Sequence, residues 1–434
     1  MDRLSRATHP ATIDAGVGIV HLGLGAFHRA HQAVFTEDAI VKGGGDWAIA
    51  AVAPRSRSVL DPMLEQDLRY SVLTLDAERV TPRVLGVHAE ALHAASAPDA
   101  VAARLADPAV RVVTLTVTEK AYSRDSAIFQ LLIRGLRARG GAPLTLLSCD
   151  NLPSNGRHLR ELVVAELGES IEDCVAFPCS MVDRIVPAST EATYAMAQAA
   201  LGVVDRAAVA AEPFNQWVIE DDFPGGRPAW DLAGAILTDD VAPWERLKLR
   251  MLNGVHSALA YLGALAGAPT IDRALALPGM RAAMERLIAT DIAPTLRPPE
   301  GLSLQVYGES VLERIGNPAL RHRTLQVAMD GSQKLPQRLL GTIADRRAAG
   351  ATPRYAALVL AAWMRFVRGT ADDGTPLPLD DPLADRLRAA PDLLRLGAVF
   401  PPGFAEDAEL RAELDGWSRA LERHGVAGTL AALP

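Results

Sequence analysis

The sequence predicts an α/β N-terminal Rossmann-type domain followed by an all-α C-terminal domain. Three observations carry that expectation. Short apolar runs alternate with helix-patterned segments up to about residue 240; strand-like runs then give way to long Ala/Leu/Arg stretches; and the first apolar run breaks at paired glycines. The apolar runs are GIVHL at 18–22, WAIAAVAP at 47–54, VRVVTLTV at 110–117 and LTLLS at 144–148. Between them lie segments such as ASAPDAVAARLAD at 95–107, where Ser96 or Asp99 is a helix start signal. Strands spaced by helices imply a parallel sheet covered on both faces.

Helical stretches are expected at 244–266, 279–291, 318–346, 354–368, 381–396 and 405–424. Pro243-Trp244 marks the start of the first, which sets a dinucleotide-binding domain at 1–242 and a helical substrate and catalytic domain at 243–434. PPEGLS and TADDGTPLPLDDP read as surface loops, and no fixed-period repeat is visible.

With 434 residues, 49% of them hydrophobic, the chain can bury a large core without staples. Charged residues at 22% fit neither a disordered chain nor a supercharged one. Forty-four Lys plus Arg against fifty-two Asp plus Glu leaves −8, the wrong sign for a partner of nucleic acid or of an anionic membrane. An anionic ligand must therefore be met by a local basic pocket.

Cys149, Cys174 and Cys179 form no C-x-x-C pair and have no metal-ligand spacing, so neither disulfides nor a bound metal is expected. Cys149 and Cys179 read as small buried hydrophobes rather than nucleophiles. MDRLSRATHPATIDAG lacks the apolar core of a signal peptide and no long uncharged apolar stretch follows, so the chain is read as cytoplasmic. Without coiled-coil heptads, a monomer and a small homo-oligomer are equally compatible.

Dinucleotide binding at a first strand-to-helix turn needs glycines that let the backbone approach a pyrophosphate. Gly23 and Gly25 supply two, Ala26 and Phe27 complete the turn, and His28 stands at the third fingerprint position. The pattern is GxGxxH, so helix and strand must pack more loosely or in another arrangement; the plain alternative is a glycine turn with no ligand. No acidic residue follows the second strand, which runs into Ala53-Pro54-Arg55-Ser56-Arg57. Arg55 and Arg57 either accommodate a 2′-phosphate or are solvated loop cations. The expected cofactor is NAD, with NADP possible.

In PWERLKLRMLNGVHSALAYLG, Lys248, Asn253 and His256 are spaced by five and three residues. On a continuous α-helix they project near 0°, about 140° and about 80°, from one side. Snorkelling, a turn cap and a satisfied core histidine are the bland readings of the three. Together they match ketone reduction, which needs a proton for the developing alkoxide and donors aimed at that oxygen. Lysine fits the first role if burial lowers its pKa, asparagine the second, and histidine can orient a partner through its ring nitrogens.

Three strand-end loops add polar groups: SCDNLPSNG at 148–156 with Asp150, Asn151 and Asn155, MVDRIVP at 181–187 with Asp183 and Arg184, and TVTEKAY at 116–122 with Glu119 and Lys120. Open α/β sheets bind ligands at such edges, and Asn151 is the candidate second oxyanion donor. Asp183 with Arg184 is alternatively a local ion pair.

The segments GIVHLGLGAFHRAHQAVFTEDA, TVTEKAY, SCDNLPSNG, PCSMVDRIVP, FNQWVIEDDFPGGRPAWDLAGA, KLRMLNGVHSALAYLG and NPALRHRTLQVAMDGSQKLPQRLL span most of the chain. In combination they resemble the polyol-specific long-chain dehydrogenases, the family of mannitol 2-dehydrogenases and fructuronate reductases. The resemblance implies a nicotinamide between a Rossmann-type and a helical domain, with no catalytic metal. It also implies that Lys248 is the general acid/base, that Asn253 and Asn151 are the oxyanion amides, and that His256 positions substrate. Asp183 and Glu119 match positions near the cleft, one in the catalytic network and one in proton exchange with solvent, and Lys334 falls where substrate hydroxyls are met.

Within the family, NPALRHRTLQVAMDGSQKLPQR is most similar to fructuronate reductases, which implies conversion between D-fructuronate and D-mannonate. The rival is D-mannitol with D-fructose, and a binding protein that has lost turnover is a third reading. A uronate carboxylate needs a cation, for which Arg323, Arg321, Lys334 and Lys120 are candidates. The stretch between Tyr122 and Cys149 is shorter than in longer fructuronate reductases, which leaves another sugar acid or polyol open as substrate.

Overall fold

The computed structural model describes residues 2–10, 13–118 and 121–433. The chain divides into two compact units, Met1–Ala242 and Pro243–Pro434. The first carries twelve strands among its described residues: β1 (Val17–Leu22), β2 (Ala48–Ala53), β3 (Tyr70–Leu75), β4 (Val80–Leu85), β5 (His88–His93), β6 (Val112–Leu115), β7 (Leu144–Ser148), β8 (Val175–Ala176), β9 (Ser180–Asp183), β10 (Val209–Ala211), β11 (Gln216–Glu220) and β12 (Ile236–Thr238).

Six form a sheet in the order β5-β2-β1-β6-β7-β8, all paired in parallel. This is the α/β Rossmann-type arrangement that the alternation of strands and helices implies. β2, β6 and β7 are buried at every position, which is why they read as unbroken apolar runs rather than alternating ones. The chain winds outward from β1 in both directions, to β2 on one side and to β6 on the other. A crevice therefore opens beyond the C-terminal ends of these strands.

Two three-stranded sheets, β10-β3-β4 and β12-β11-β9, are not among the sequence expectations. β4 is an edge strand paired antiparallel with β3 and carries Pro82, which a central strand would not accept. β10 and β12 have three residues each, too short for a periodicity to declare itself.

The second unit is helical among its described residues, with one continuous apolar core running from Leu247 to Leu430. Its helices are more broken than the sequence pattern suggests. The stretch at 244–266 is an α-helix Ala242–Leu247, a π-helical turn Lys248–Asn253 and an α-helix Gly254–Leu265. That at 279–291 becomes Met280–Arg286 plus a π-helical turn Leu287–Ile292.

The 318–346 stretch opens as a loop, continues as the short helices Thr324–Ala328 and Gly331–Leu335, and passes through a π-helical turn Pro336–Leu340 into Gly341–Ala348. Pro336 cannot donate the hydrogen bond a continuous α-helix needs there. At 381–396 only Ala384–Ala389 is α-helical, and Asp392 caps a separate turn, Leu393–Arg395. No helix among the described residues is long and apolar enough to cross a membrane.

Candidate active site

β1 leads directly into the glycine turn. Gly23 has φ +114°, and a Cβ there would lie 2.1 Å from the carbonyl oxygen of Thr116, so no other residue fits. Gly25 is different: its φ is −101°, and the nearest atom to a Cβ would be 3.8 Å away. Glycine at 25 leaves an open face, which suits close approach of a pyrophosphate.

The amides of Gly23 and Leu24 donate to Val52 O and that of Gly25 donates to Gly23 O. Ala26 and Phe27 then open a helix, at positions whose amides have no acceptor within it. The single helix expected through AFHRAHQAVFTEDAI is in fact two, Ala26–Ala30 and Gln32–Gly43, separated by His31 at φ −124° and ψ −86°. A five-residue helix contributes little dipole, so any anion held here relies on the turn's own shape and amides.

His28, in the place of the third glycine, is fully buried. Its ring stacks on His21 at 3.4 Å, and its Nε2 lies 3.0 Å from Nε2 of His88. His21 meets Thr114 Oγ1 at 2.7 Å, its register partner on β6, and its Nε2 lies 3.0 Å from Gly23 O and 2.8 Å from Thr116 Oγ1. Helix and strand are therefore not loosely packed but joined through a buried histidine cluster that reaches the glycine turn. Burial pushes His21 and His88 down to about 3 and His28 well below its usual range, so all three are neutral. Arg55 is exposed on the turn after β2.

At the end of β7, Asp150 accepts from the amides of Val117 and Thr118, each at 3.0 Å, and from Tyr122 Oη at 2.9 Å. It ties Val117 and Thr118 to Tyr122, while the candidates Glu119 and Lys120 lie outside the described residues. Asn151 is exposed beside it. Asn155 is a cross-link rather than a cleft-edge group. Fully buried, it donates to the carbonyls of Ser148, Asp150 and Ser180 and accepts from the Ser180 amide. Asp183 is buried at the end of β9 opposite Gln216, and Arg184 donates to the carbonyls of Glu212 and Ala30. Cys149 and Cys179 are buried, and burial raises both thiols above their usual range, against a nucleophilic role.

In the second unit, Lys248 and Asn253 open and close the π-helical turn. With bonding from i to i+5, residues five apart stack one turn above the other, closer than the α-helical angle implies. Lys248 is 6% exposed. His256 follows on the helix Gly254–Leu265, and its ring meets His322 edge-on at 4.9 Å. Burial, then the charges of His322, Arg338, Lys334 and Arg314, hold His256 well below its usual pKa.

Lys334 also reaches the carbonyl of Val327 at 3.4 Å, and Arg338 donates to Ser257 Oγ at 3.1 Å. The π-helical turns Lys248–Asn253 and Pro336–Leu340 pack against each other. Glycine permits it: a Cβ on Gly254 would sit 2.9 Å from Arg338 O. Arg323 is exposed at the start of the helix Thr324–Ala328, one residue beyond His322. His322, Arg314 and Arg338 escaped the sequence reading as members of this cluster, although Arg338 stands one helical turn beyond Lys334. The buried His21, His28 and His88 cluster escaped as well, its one signal being the histidine-rich run around the glycines.

The Mannitol dehydrogenase Rossmann domain profile matches residues 17–232, and the Mannitol dehydrogenase C-terminal domain profile matches 240–395. The D-mannonate oxidoreductase of Escherichia coli (strain K12) is 39% identical, over 96% of this chain and 95% of its own length. A mannitol 2-dehydrogenase of Cereibacter sphaeroides is 36% identical over 95% of each chain. The solved structure of Pseudomonas fluorescens mannitol 2-dehydrogenase, a ternary complex with NAD and D-mannitol, superposes with a TM-score of 0.90 at 32% identity and 99% coverage of both chains. By sequence along nearly its whole length and by fold, the chain belongs to the mannitol dehydrogenase family of oxidoreductases.

Proposed function

We propose that the protein is a nicotinamide-dependent CH–OH oxidoreductase that interconverts D-fructuronate and D-mannonate. One observation carries the choice of a sugar acid. A neutral His256 feels the charges of Arg338, Lys334 and Arg314, so a substrate carboxylate arriving beside it meets positive charge in a chain whose net charge is −8. The 39% identity to the D-mannonate oxidoreductase of Escherichia coli supports the same reading.

The glycine turn at Gly23 and Gly25, with Ala26 and Phe27, fits a dinucleotide pyrophosphate, and Arg55 borders the adenosine side. Bound NAD supplies the hydride acceptor. Lys248, withdrawn from water, takes the hydroxyl proton in oxidation and returns it in reduction. Asn253 and Asn151 are the amide donors to the substrate oxygen, and His256, as a neutral ring, orients the substrate without adding charge. Asp183 belongs to the surrounding network, Glu119 exchanges protons with solvent, and Lys334 and Arg323 serve the substrate's polar groups.

A second reading, oxidation of D-mannitol to D-fructose, is favoured by the likeness to the mannitol 2-dehydrogenase bound to D-mannitol. The test is nicotinamide absorbance with D-mannonate or D-mannitol, each with NAD and with NADP. Turnover with mannonate and not mannitol is expected. Turnover with mannitol alone would keep the residue roles and replace the substrate.

A further inference from the structure

The helix that carries Lys334, Gly331–Leu335, has five residues, and a helix that short does not stand on its own propensity. Asp330, which precedes it, is in the left-handed conformation at φ +55°, and its side chain caps none of the helix's amides. Its carbonyl accepts from the amides of Gln333 at 3.1 Å and Lys334 at 3.0 Å. The amide of Ser332, in the first turn, is left to find a partner elsewhere.

That partner is Asp381, 49 residues further along the chain. It lies near the end of TADDGTPLPLDDP, a stretch that reads as a surface loop, yet it is only 9% exposed. Asp381 Oδ2 accepts from the Ser332 amide at 2.8 Å, while Oδ1 accepts from Ser332 Oγ at 2.6 Å and from the Leu383 amide at 2.8 Å. The neighbouring Asp380 carbonyl accepts from the Asp330 amide at 2.9 Å. Gly331 packs against buried Trp363 and Tyr261: a Cβ there would lie 2.5 Å from Trp363 Nε1 and 2.7 Å from Tyr261 Oη. Tyr261 belongs to the helix Gly254–Leu265, which also carries His256. The start of the Lys334 helix is thus tied to Asp380 and Asp381 and packed against the element on which His256 sits. Both oxygens of Asp381 receive a backbone N–H, so an asparagine in its place would turn its NH2 toward one of them however it sat.

We infer that Asp381 is a positioning residue for the reaction: by clamping the first turn of the helix Gly331–Leu335 it sets where the Lys334 ammonium meets the substrate. The inference rests on the substrate-binding role proposed for Lys334 and goes beyond it in naming the group that holds Lys334 in place. Lys334 stands two residues beyond Ser332, about 3 Å along the helix axis, so loosening of the first turn displaces its ammonium directly. A misplacement of about 1 Å in a substrate-holding group is enough for a loss of tenfold or more.

The test is a double-mutant cycle on the full chain, D381N against K334M, read in steady-state oxidation of D-mannonate with NAD and in NADH affinity by fluorescence. K334M should lower kcat/KM about 10- to 100-fold. D381N should lower it about tenfold, chiefly through KM, with NADH affinity unchanged. Because Asp381 acts through Lys334, the double variant should fall no more than about twofold below K334M. S332A removes the hydroxyl alone and should cost about two- to threefold, again only while Lys334 is present; it decides the matter if D381N does not fold. Losses that multiply in the double variant, or an undiminished kcat/KM in D381N, overturn the inference and leave the role of Lys334 standing. A K334M protein as active as its parent overturns both.

Discussion

The proposed mechanism places its proton transfer on one buried amine, Lys248. Removing its side chain should lower kcat by about 10²- to 10⁴-fold, the usual worth of a positioned acid/base, while leaving NADH affinity close to that of the parent protein. Steady-state rates and fluorescence titration of K248A check both halves, and unchanged turnover would remove Lys248 from the mechanism. Arg338 tests the carboxylate argument. Replacing it with Gln keeps a donor for Ser257 and removes a charge beside His256. R338Q should lower kcat/KM for D-mannonate about tenfold and leave any D-mannitol activity far less affected, as expected for a lost charge-assisted hydrogen bond. An equal loss on both substrates would assign Arg338 a packing role.

Among the elements, the glycine turn separates folding from binding. Gly23→Ala meets both a disfavoured φ and a backbone oxygen 2.1 Å from its new methyl, so thermal unfolding should shift downward. Gly25→Ala has an ordinary φ and an open face, so Tm should hold while dinucleotide affinity falls, because the methyl occupies the space left for the pyrophosphate. Differential scanning calorimetry and NADH titration of both variants distinguish the two roles; a large Tm loss in G25A would contradict this division. Much of this element was legible, since two glycines after an apolar run are a strong local signal. The helix break at His31 was not, because AFHRAHQAVF keeps helical spacing across it. Likewise the π-helical turn Lys248–Asn253 leaves no mark in a pattern of apolar residues. It is set by packing against Pro336–Leu340, far away in the chain.

For the whole molecule, the buried histidines tie stability to pH. His21 and His88 titrate near 3 in the fold against 6.5 when unfolded, and His28 is shifted in the same direction. Their contribution is complete above 6.5. As pH falls below that value the unfolded chain takes up protons that the fold refuses, at about 1.4 kcal/mol per pH unit for each histidine. Denaturant midpoints measured from about pH 7.5 to pH 4.5 should therefore fall steadily, and H88Q should flatten the slope by removing one titrating ring. A midpoint indifferent to acid in that window would mean the rings are protonated in the fold.

The sequence by itself determined the fold class, the glycine turn and the placing of Lys248, Asn253 and His256 along one helical stretch. Each depends on local periodicity or on residues within a turn or two of one another, and that information is carried along the chain. Tertiary structure decided which groups surround them. Asn155 became a cross-link because β9 passes within reach of its amide, and His28 joined His21 and His88 because three elements converge beneath the turn. The charges that act on His256, those of Arg338, Lys334 and Arg314, come from segments dozens of residues further along. Such contacts depend on how helices and strands pack in space, and spacing in the chain does not encode them.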